Sequence, residues 1–430
     1  MKFFIKSNSY FDYASLTPID RSVCLLMNKI LKNNIGNPSS IHKEGIISKN
    51  IISDSRSKIA KILNVHSDEI IFTNSGTMSN NIAILGVLSI YEEKKNNINH
   101  KLPHMIMSNI EHASVRETMH YLRDSGRINL SEIGVDSDGI ISAKDIVAKM
   151  TPETILVSII YANNEIGTIQ PIREIAREIR HYKKSLGRDP HLSGIYPIFH
   201  TDSAQAMQYL EAEPPTLGVD LLSFNGSKIY GPRGMGILYI KRKTPIKNII
   251  FGGDQEMGFF PGTENTIGVA GLALALEKVN KIKKEEKERM EILKNYFVYK
   301  INEIPNIIHN GSIENRIPNI INISVPDFSS ELLVIYLSAR GIYVSAKSAC
   351  KSADMESSHV IEAINKSRPP LPNGISLSPI RGLAGGDRLT NSEEGSLRFS
   401  MGRQTTKKDI DRAVKNLISV IKLLSNLIAK

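Results

Sequence analysis

Five short apolar runs, at residues 69–73, 105–110, 154–161, 195–201 and 221–224, alternate with longer stretches of helical spacing. That rhythm restricts the fold more than any other feature, because strands separated by helix-length segments pair in parallel and are covered by helices. The expectation is an α/β protein with a mainly parallel central sheet. In open sheets of this kind ligands bind outside the carboxyl ends of the strands. Glu111 and His112 follow the second run, Asn163, Asn164 and Glu165 the third, and Asp202, Ser203 and Gln205 the fourth. The fifth leads through Asn225, Gly226 and Ser227 to Lys228 and a Gly231-Pro232 turn, before another apolar run that ends at Ile240. Any one of these polar residues is explained equally well as a cap or a satisfied core group. Several in a row, of complementary chemistry, point to one crevice.

Lys228 is the foremost candidate. Set among small residues between two apolar runs, it stands where a cofactor can approach the backbone and where burial favours a neutral amine. Only the neutral amine attacks an aldehyde, so this is the setting of a Schiff-base lysine. An ordinary lysine beside a hairpin is the plain alternative. The first run leads into Asn74-Ser-Gly-Thr-Met-Ser-Asn-Asn and an apolar helix expected from near Ile82. A strand, a small-residue turn and a helix start make an anion cradle, because free N–H groups and the helix dipole favour a phosphate there. Ser75, Gly76 and Thr77 would supply it, although serine and threonine also cap helices for structural reasons alone.

A chain of 430 residues, 41% apolar and 23% charged, is ordinary for a globular protein and long enough for two or three packed units. Its two cysteines, Cys24 and Cys350, lack metal-ligand spacing and form no framework, which argues against structural zinc and for a reducing compartment. Cys24 falls in an apolar helical stretch and is expected to be buried and inert. No metal site is expected. No run approaches the roughly 18 apolar residues of a membrane span and no signal-peptide core is present, so a cytoplasmic protein is expected. The net charge of +10 is spread along the chain and interleaved with glutamate over 281–289. That pattern reads as a solvated surface rather than a nucleic-acid groove.

The helical stretch 266–304 has an apolar beginning and a charged middle, as expected of a helix that leaves one body and crosses to another. The expected division is therefore a segment 1–18 that joins a small domain, a large domain over 19–264, and 265–430 as the connecting helix and small domain. Within the last, 320–325 alternates like a strand, 342–345 leads to the polar loop of Cys350, and 365–395 is rich in proline, glycine and serine. Residues 397–401 read as a strand and 409–428 as an amphipathic helix.

A phosphate cradle, the Asp202 carboxylate, His112, an amide at Asn164 and Lys228 are the parts a pyridoxal phosphate site uses, the cofactor being an electron sink. With its other motifs the chain resembles, over nearly its whole length, the cysteine desulfurases that supply sulfur for iron–sulfur clusters and tRNA thiolation. The motifs are Phe11-Asp-Tyr-Ala, Gly36-Asn-Pro-Ser-Ser, Ser75-Gly-Thr, Glu111-His112, Asn163-Asn-Glu-Ile-Gly-Thr and His200-Thr-Asp-Ser-Ala-Gln205. Gly226-Ser-Lys-Ile-Tyr-Gly-Pro, Gly262-Thr-Glu-Asn, Ser348-Ala-Cys350 and Leu397-Arg-Phe-Ser-Met-Gly-Arg403 follow in order.

The resemblance implies a fold type I pyridoxal-phosphate enzyme, with a large domain on a mainly parallel sheet and a smaller α+β domain. It implies that Lys228 holds the cofactor's aldehyde, Asp202 pairs with the ring nitrogen, and His112 stacks on the ring and handles protons. Asn164 and Gln205 would bond the ring oxygen and Thr77 the phosphate, with Asn225 and Ser227 at the positions flanking the lysine. Thr263 would reach the phosphate of a neighbouring subunit in a homodimer. Arg398 would clamp the carboxylate of the L-cysteine substrate beside Asn164, and Cys350 would take the sulfur as a persulfide, leaving alanine. Lys347, three residues before Cys350, is expected to favour the thiolate. A sulfur-acceptor protein, either an iron–sulfur scaffold or a tRNA-thiolation protein, is the implied partner. A selenocysteine lyase or other small aminotransferase-like enzyme, a catalytically degenerate sulfur-transfer scaffold, and a tRNA-binding role remain alternatives at this stage.

Overall fold

A computed structural model describes residues 8–95, 101–185, 196–346, 358–368 and 394–428. Strand β1 (Ser9–Tyr10) precedes helices α1 (Arg21–Asn33) and α2 (Lys43–Leu63). Strands and helices then alternate: β2 (Ile70–Thr73), α3 (Gly76–Lys95), β3 (His104–Ser108), α4 (Ala113–Asp124), β4 (Asn129–Ile133), α5 (Ala143–Lys149), β5 (Thr154–Ser158), α6 (Ile172–Ser185) and β6 (Ile198–Asp202). After a short α7 (Pro214–Leu217), β7 (Leu221–Asn225) and β8 (Gly236–Ile240) complete a seven-stranded sheet of order β2-β8-β7-β6-β5-β3-β4. Strands β4, β3, β5, β6 and β7 pair in parallel, whereas β8 runs antiparallel to both β7 and β2.

Helices cover both faces, and β8 shows why the sheet needs them. Ile237 and Tyr239 pack on one side with Phe224, and Leu238 and Ile240 on the other with Ile71 and Ile82. Side chains that alternate across a strand and are buried on both sides give an uninterrupted apolar run. Each such fully buried aliphatic side chain contributes roughly 1.5–3 kcal/mol relative to exposure.

The chain then enters α8 (Thr266–Ile301), opened by Asn265, whose side chain accepts from Gly268 N at 2.9 Å. Beyond it lie β9 (Ile308–His309), β10 (Ile320–Ser329), α9 (Ser330–Ser338), β11 (Ile342–Tyr343), α10 (His359–Lys366), β12 (Glu394–Ser400) and α11 (Lys407–Ile428). A second sheet of order β12-β10-β9 carries its own core, to which α11 adds the buried stripe Ile410, Val414, Leu417 and Leu424. The N-terminal segment belongs to this core. Phe11 packs against Phe297 and Phe399 with ring centroids 6.0 and 5.9 Å away, and its carbonyl accepts from Ser400 N at 2.7 Å.

Two local expectations are corrected and one element is added. Helix α3 begins at Gly76 rather than near Ile82, because Ser75 Oγ accepts from Met78 N at 3.1 Å and caps a polar first turn that carries no apolar periodicity. Strand β4 was not anticipated; it lies at the sheet edge, and Asn-Leu-Ser-Glu-Ile has only its last residue buried. Cys24 is exposed rather than buried, since α1 turns Val23 and Ile30 inward and Cys24, about 100° further round the helix, falls outside that stripe.

Candidate active site

The carboxyl ends of the parallel strands border one cavity. Gly76 and Thr77 reach it from the first turn of α3, His112 from the connection after β3, and Asn164 from the loop after β5. Asp202 and Gln205 come from the end of β6, Asn225 and Lys228 from the end of β7 and the turn beyond it, and Arg398 from β12. Register explains the gathering. Ser158 pairs with His200 and Asp202 with Ser223, so β5, β6 and β7 deliver their last residues to the same rim.

Lys228 ends a single helical turn that Gly226 makes feasible, since a Cβ there would sit 2.5 Å from the carbonyl oxygen of Pro232. Its Nζ donates to the carbonyls of Ala14 at 2.8 Å and Ser15 at 2.6 Å. Gln205 Nε2 also donates to Ala14 O, at 2.9 Å, so the N-terminal segment forms one wall of the cavity. The buried Asp202 carboxylate is fixed by two donors, Ala204 N on Oδ1 at 2.9 Å and Asn80 Nδ2 on Oδ2 at 2.8 Å.

His112 caps α4. Its Nδ1 accepts from Ser114 N at 3.1 Å and lies 2.8 Å from Ser114 Oγ. A main-chain N–H can only donate, so Nδ1 is an acceptor and the neutral ring carries its proton on Nε2. Arg398, 1% exposed, sends Nη1 to the carbonyl of Asn164 at 2.9 Å and Nη2 to Asp12 Oδ1 at 2.7 Å and Ser15 Oγ at 2.6 Å. Its Nε is buried without an acceptor among the described residues.

Ser75, Ser227 and Thr263 do not line the cavity. Ser75 is spent on the helix cap, Ser227 Oγ donates to Asn225 Oδ1 at 3.0 Å, and Thr263 stands on the surface after Gly262. Lys347 and Cys350 lie outside the described residues.

Asp12, Asn80 and Ser114 were not singled out from the sequence as functional side chains, and neither were the carbonyls of Ala14 and Ser15. Asp12 stood inside a motif and Asn80 inside the turn-rich segment 74–81, but neither context names the distant partner each one binds. Glu111, beside His112, is fully enclosed. Its Oε1 accepts from Ser108 Oγ at 2.5 Å and Ile160 N at 2.8 Å, while Oε2 has no partner among the described residues. Burial pushes its carboxyl up to about 8, with the neighbouring Asp202 charge adding to the effect, so it is a neutral acid at pH 7. His200, two residues before Asp202, is held down to about 4 by burial.

No described helix is long and apolar enough to cross a membrane. The family Aminotransferase class-V matches residues 9–413. A curated relative described as Cysteine desulfurase IscS, from Dictyoglomus turgidum, is 38% identical over 421 residues, covering 98% of this chain and 96% of its own. A solved structure titled NifS-like protein superposes with a TM-score of 0.81 at 28% identity, covering 97% of this chain and 100% of that one. Another, titled SspA in complex with cysteine, superposes with a TM-score of 0.70 at 28% identity, covering 91% of this chain and 98% of that one. The chain belongs to the class-V aminotransferases and, within them, to the pyridoxal-phosphate-dependent cysteine desulfurases.

Proposed function

We propose that the cavity bounded by Lys228, Asp202 and Gly76 is where this cysteine desulfurase binds pyridoxal phosphate and L-cysteine. The observation that carries the reading is the lining of one cavity by an amine, a carboxylate fixed by two donors and the glycine-led start of a helix. The residues fit the cofactor. At Gly76 a Cβ would lie 2.9 Å from Asn225 Nδ2, so glycine keeps open the approach to the amides of α3, as a phosphate requires.

Bound there, the cofactor supplies an electron sink for the bonds broken at Cα and Cβ of the substrate. Lys228 is the amine that would hold its aldehyde and the base placed to take the Cα proton of the substrate. Asp202 would meet the ring nitrogen, and Asn80 and Ala204 keep its carboxylate from turning away. His112 would stand against the ring with its Nε2 proton, and Asn164 and Gln205 would bond the ring oxygen. Gly76 and Thr77 would hold the phosphate through the helix start, beside Asn225, while Ser75 and Ser227 support that turn from behind. Arg398 receives the substrate carboxylate beside Asn164, a task suited to a planar fork. The thiolate of Cys350 attacks the substrate sulfur: an S–S bond forms, the Cβ–S bond breaks, and its electron pair takes a proton to leave alanine. The balance is cysteine plus a thiol giving alanine plus a persulfide.

The reading extends to assembly. Leu25, Leu31, Ile35, Ile41 and Phe251 stand exposed, which supports a homodimer in which the surface residue Thr263 meets the neighbouring subunit's phosphate. The division into 1–18, 19–264 and 265–430, a cytoplasmic location, and delivery of sulfur to an iron–sulfur scaffold or tRNA-thiolation protein complete the proposal. The test is incubation of the full-length holoprotein with L-cysteine, followed by mass spectrometry of the Cys350 peptide. One added sulfur with matching alanine is expected, and Lys228→Ala should abolish both along with the visible absorbance of the bound cofactor. Alanine released without sulfur on Cys350 would sink the assignment.

A further inference from the structure

Asn80 joins the two sides of the cavity. It sits one turn into α3, is 1% exposed, and spends both amide protons on the site: Nδ2 donates to Asp202 Oδ2 and to Ser114 Oγ, each at 2.8 Å. Its own Oδ1 accepts from Ser223 Oγ. These contacts set the direction of every bond around them. Ser114 Oγ, already accepting from Asn80, turns its hydroxyl proton to His112 Nδ1 at 2.8 Å. Ser223 Oγ, already donating to Asn80, accepts from His200 Nε2 at 3.3 Å, and His200 Nδ1 accepts from Ser158 Oγ at 2.8 Å. Burial keeps His200 neutral, as this arrangement needs.

We propose that Asn80 is a positioning residue, which holds the Asp202 carboxylate and, through Ser114, the His112 ring in one hydrogen-bonded frame. The proposal rests on the roles given above to Asp202 and His112. A buried amide whose every donor and acceptor is committed has one orientation, because reversing it would set Nδ2 against the Ser223 donor and Oδ1 against a carboxylate. The acid that meets one end of the cofactor ring and the imidazole that faces it are thereby placed by a single side chain. No step of the reaction passes through Asn80 itself.

The experiment uses full-length Asn80→Ala, Ser114→Ala, Ser223→Ala and Asp202→Ala proteins, checked for folding by thermal unfolding. Affinity of the apoprotein for pyridoxal phosphate is measured by equilibrium dialysis, and the hydrogen bonding of His112 Nδ1 is read from its ring-nitrogen NMR shift without cofactor. Asn80→Ala should weaken cofactor binding by about tenfold, the effect of losing one hydrogen bond to a charged group. It should also shift the His112 Nδ1 resonance, as Ser114→Ala should, because Nδ1 then loses the oriented hydroxyl and keeps only the Ser114 main-chain donor. In the Asp202→Ala background Asn80→Ala should add little. Should Asn80→Ala fail to fold, Ser223→Ala decides, because it removes the hydroxyl that anchors Oδ1 and should reproduce both effects in weaker form. Wild-type affinity and an unmoved His112 signal in whichever of these two variants folds would overturn the proposal, as would full additivity with Asp202→Ala. If Asp202→Ala itself binds the cofactor normally, the earlier reading of the cavity fails instead.

Discussion

Arg398 and Asp12, 386 positions apart in sequence, are joined by a 2.7 Å bond between Nη2 and Oδ1 at the wall of the cavity. The same guanidinium serves Ser15 and the carbonyl of Asn164, three acceptors that a planar fork satisfies and a point charge does not. Arg398→Lys should therefore raise KM for cysteine by about tenfold with a smaller change in kcat, the pattern of lost uniform binding. Steady-state alanine formation measures it. Asp12→Asn leaves a buried guanidinium without its counter-charge and should cost roughly 2 kcal/mol in urea unfolding, less than a fully enclosed pair because Asp12 is partly exposed.

Glu111 gives the fold a dependence on pH. Its carboxyl is raised from the ordinary 4.5 to about 8 by burial, with Asp202 adding to the shift, so between those values the folded chain holds a proton that the unfolded chain has released. Stability contributed by this group is present below the unfolded value and declines as pH rises through that window, by at most about 1.4 kcal/mol per pH unit. Glu111→Gln should flatten the fall in stability between pH 5 and 8, as read by denaturant titration. An unchanged slope would mean that Glu111 is ionised in the fold.

Glu256 occupies a left-handed backbone position, φ 50°, and is held there by three hydrogen bonds from two residues. Arg56 meets its carboxylate with two bonds, at 2.8 and 2.6 Å, and Phe72 N donates to it at 2.8 Å. Arg56→Ala would leave a buried carboxylate on one main-chain donor and should cost about 3 kcal/mol. Thermal unfolding checks this, and loss of order around residue 256 should accompany it.

Gly236 begins β8 directly against Ser75, in the turn proposed to cradle the phosphate. A Cβ there would lie 2.5 Å from the carbonyl carbon and oxygen of Ser75 and from Thr73 Oγ1. Gly236→Ala must push the Ser75 peptide away and should weaken pyridoxal phosphate binding by about tenfold while destabilising the sheet by 1–3 kcal/mol, as overpacking does. Dialysis of the apoprotein against the cofactor separates the two effects.

The sequence disclosed the rim of the sheet more readily than the contacts across it. Residues 111–112, 164, 202 and 225–228 follow apolar runs, and parallel pairing then obliges them to meet. The Asn80 amide gave no such signal, because its meaning lies in Asp202, 122 positions away, and only the packed sheet brings the two together. The same holds for Asp12 and Arg398. Cys24 was misread for a local reason: apolar neighbours along a helix do not say which face turns inward. Strand β4 escaped notice because an edge strand with one buried residue has little apolar pattern to show.

The antiparallel β8 has a mechanical consequence. It is hydrogen-bonded at once to β2, which launches the cradle at Gly76, and to β7, which launches Lys228; Gly236 faces Thr73 on one side and Asn225 on the other. Side chains alternate at every residue of such a ladder, so a sliding strand would turn its whole inner face outward and cannot slip by a small amount. The separation between the start of α3 and the Lys228 amine is thus ruled off in backbone repeats, like marks on a gauge block, and does not drift with the loops above.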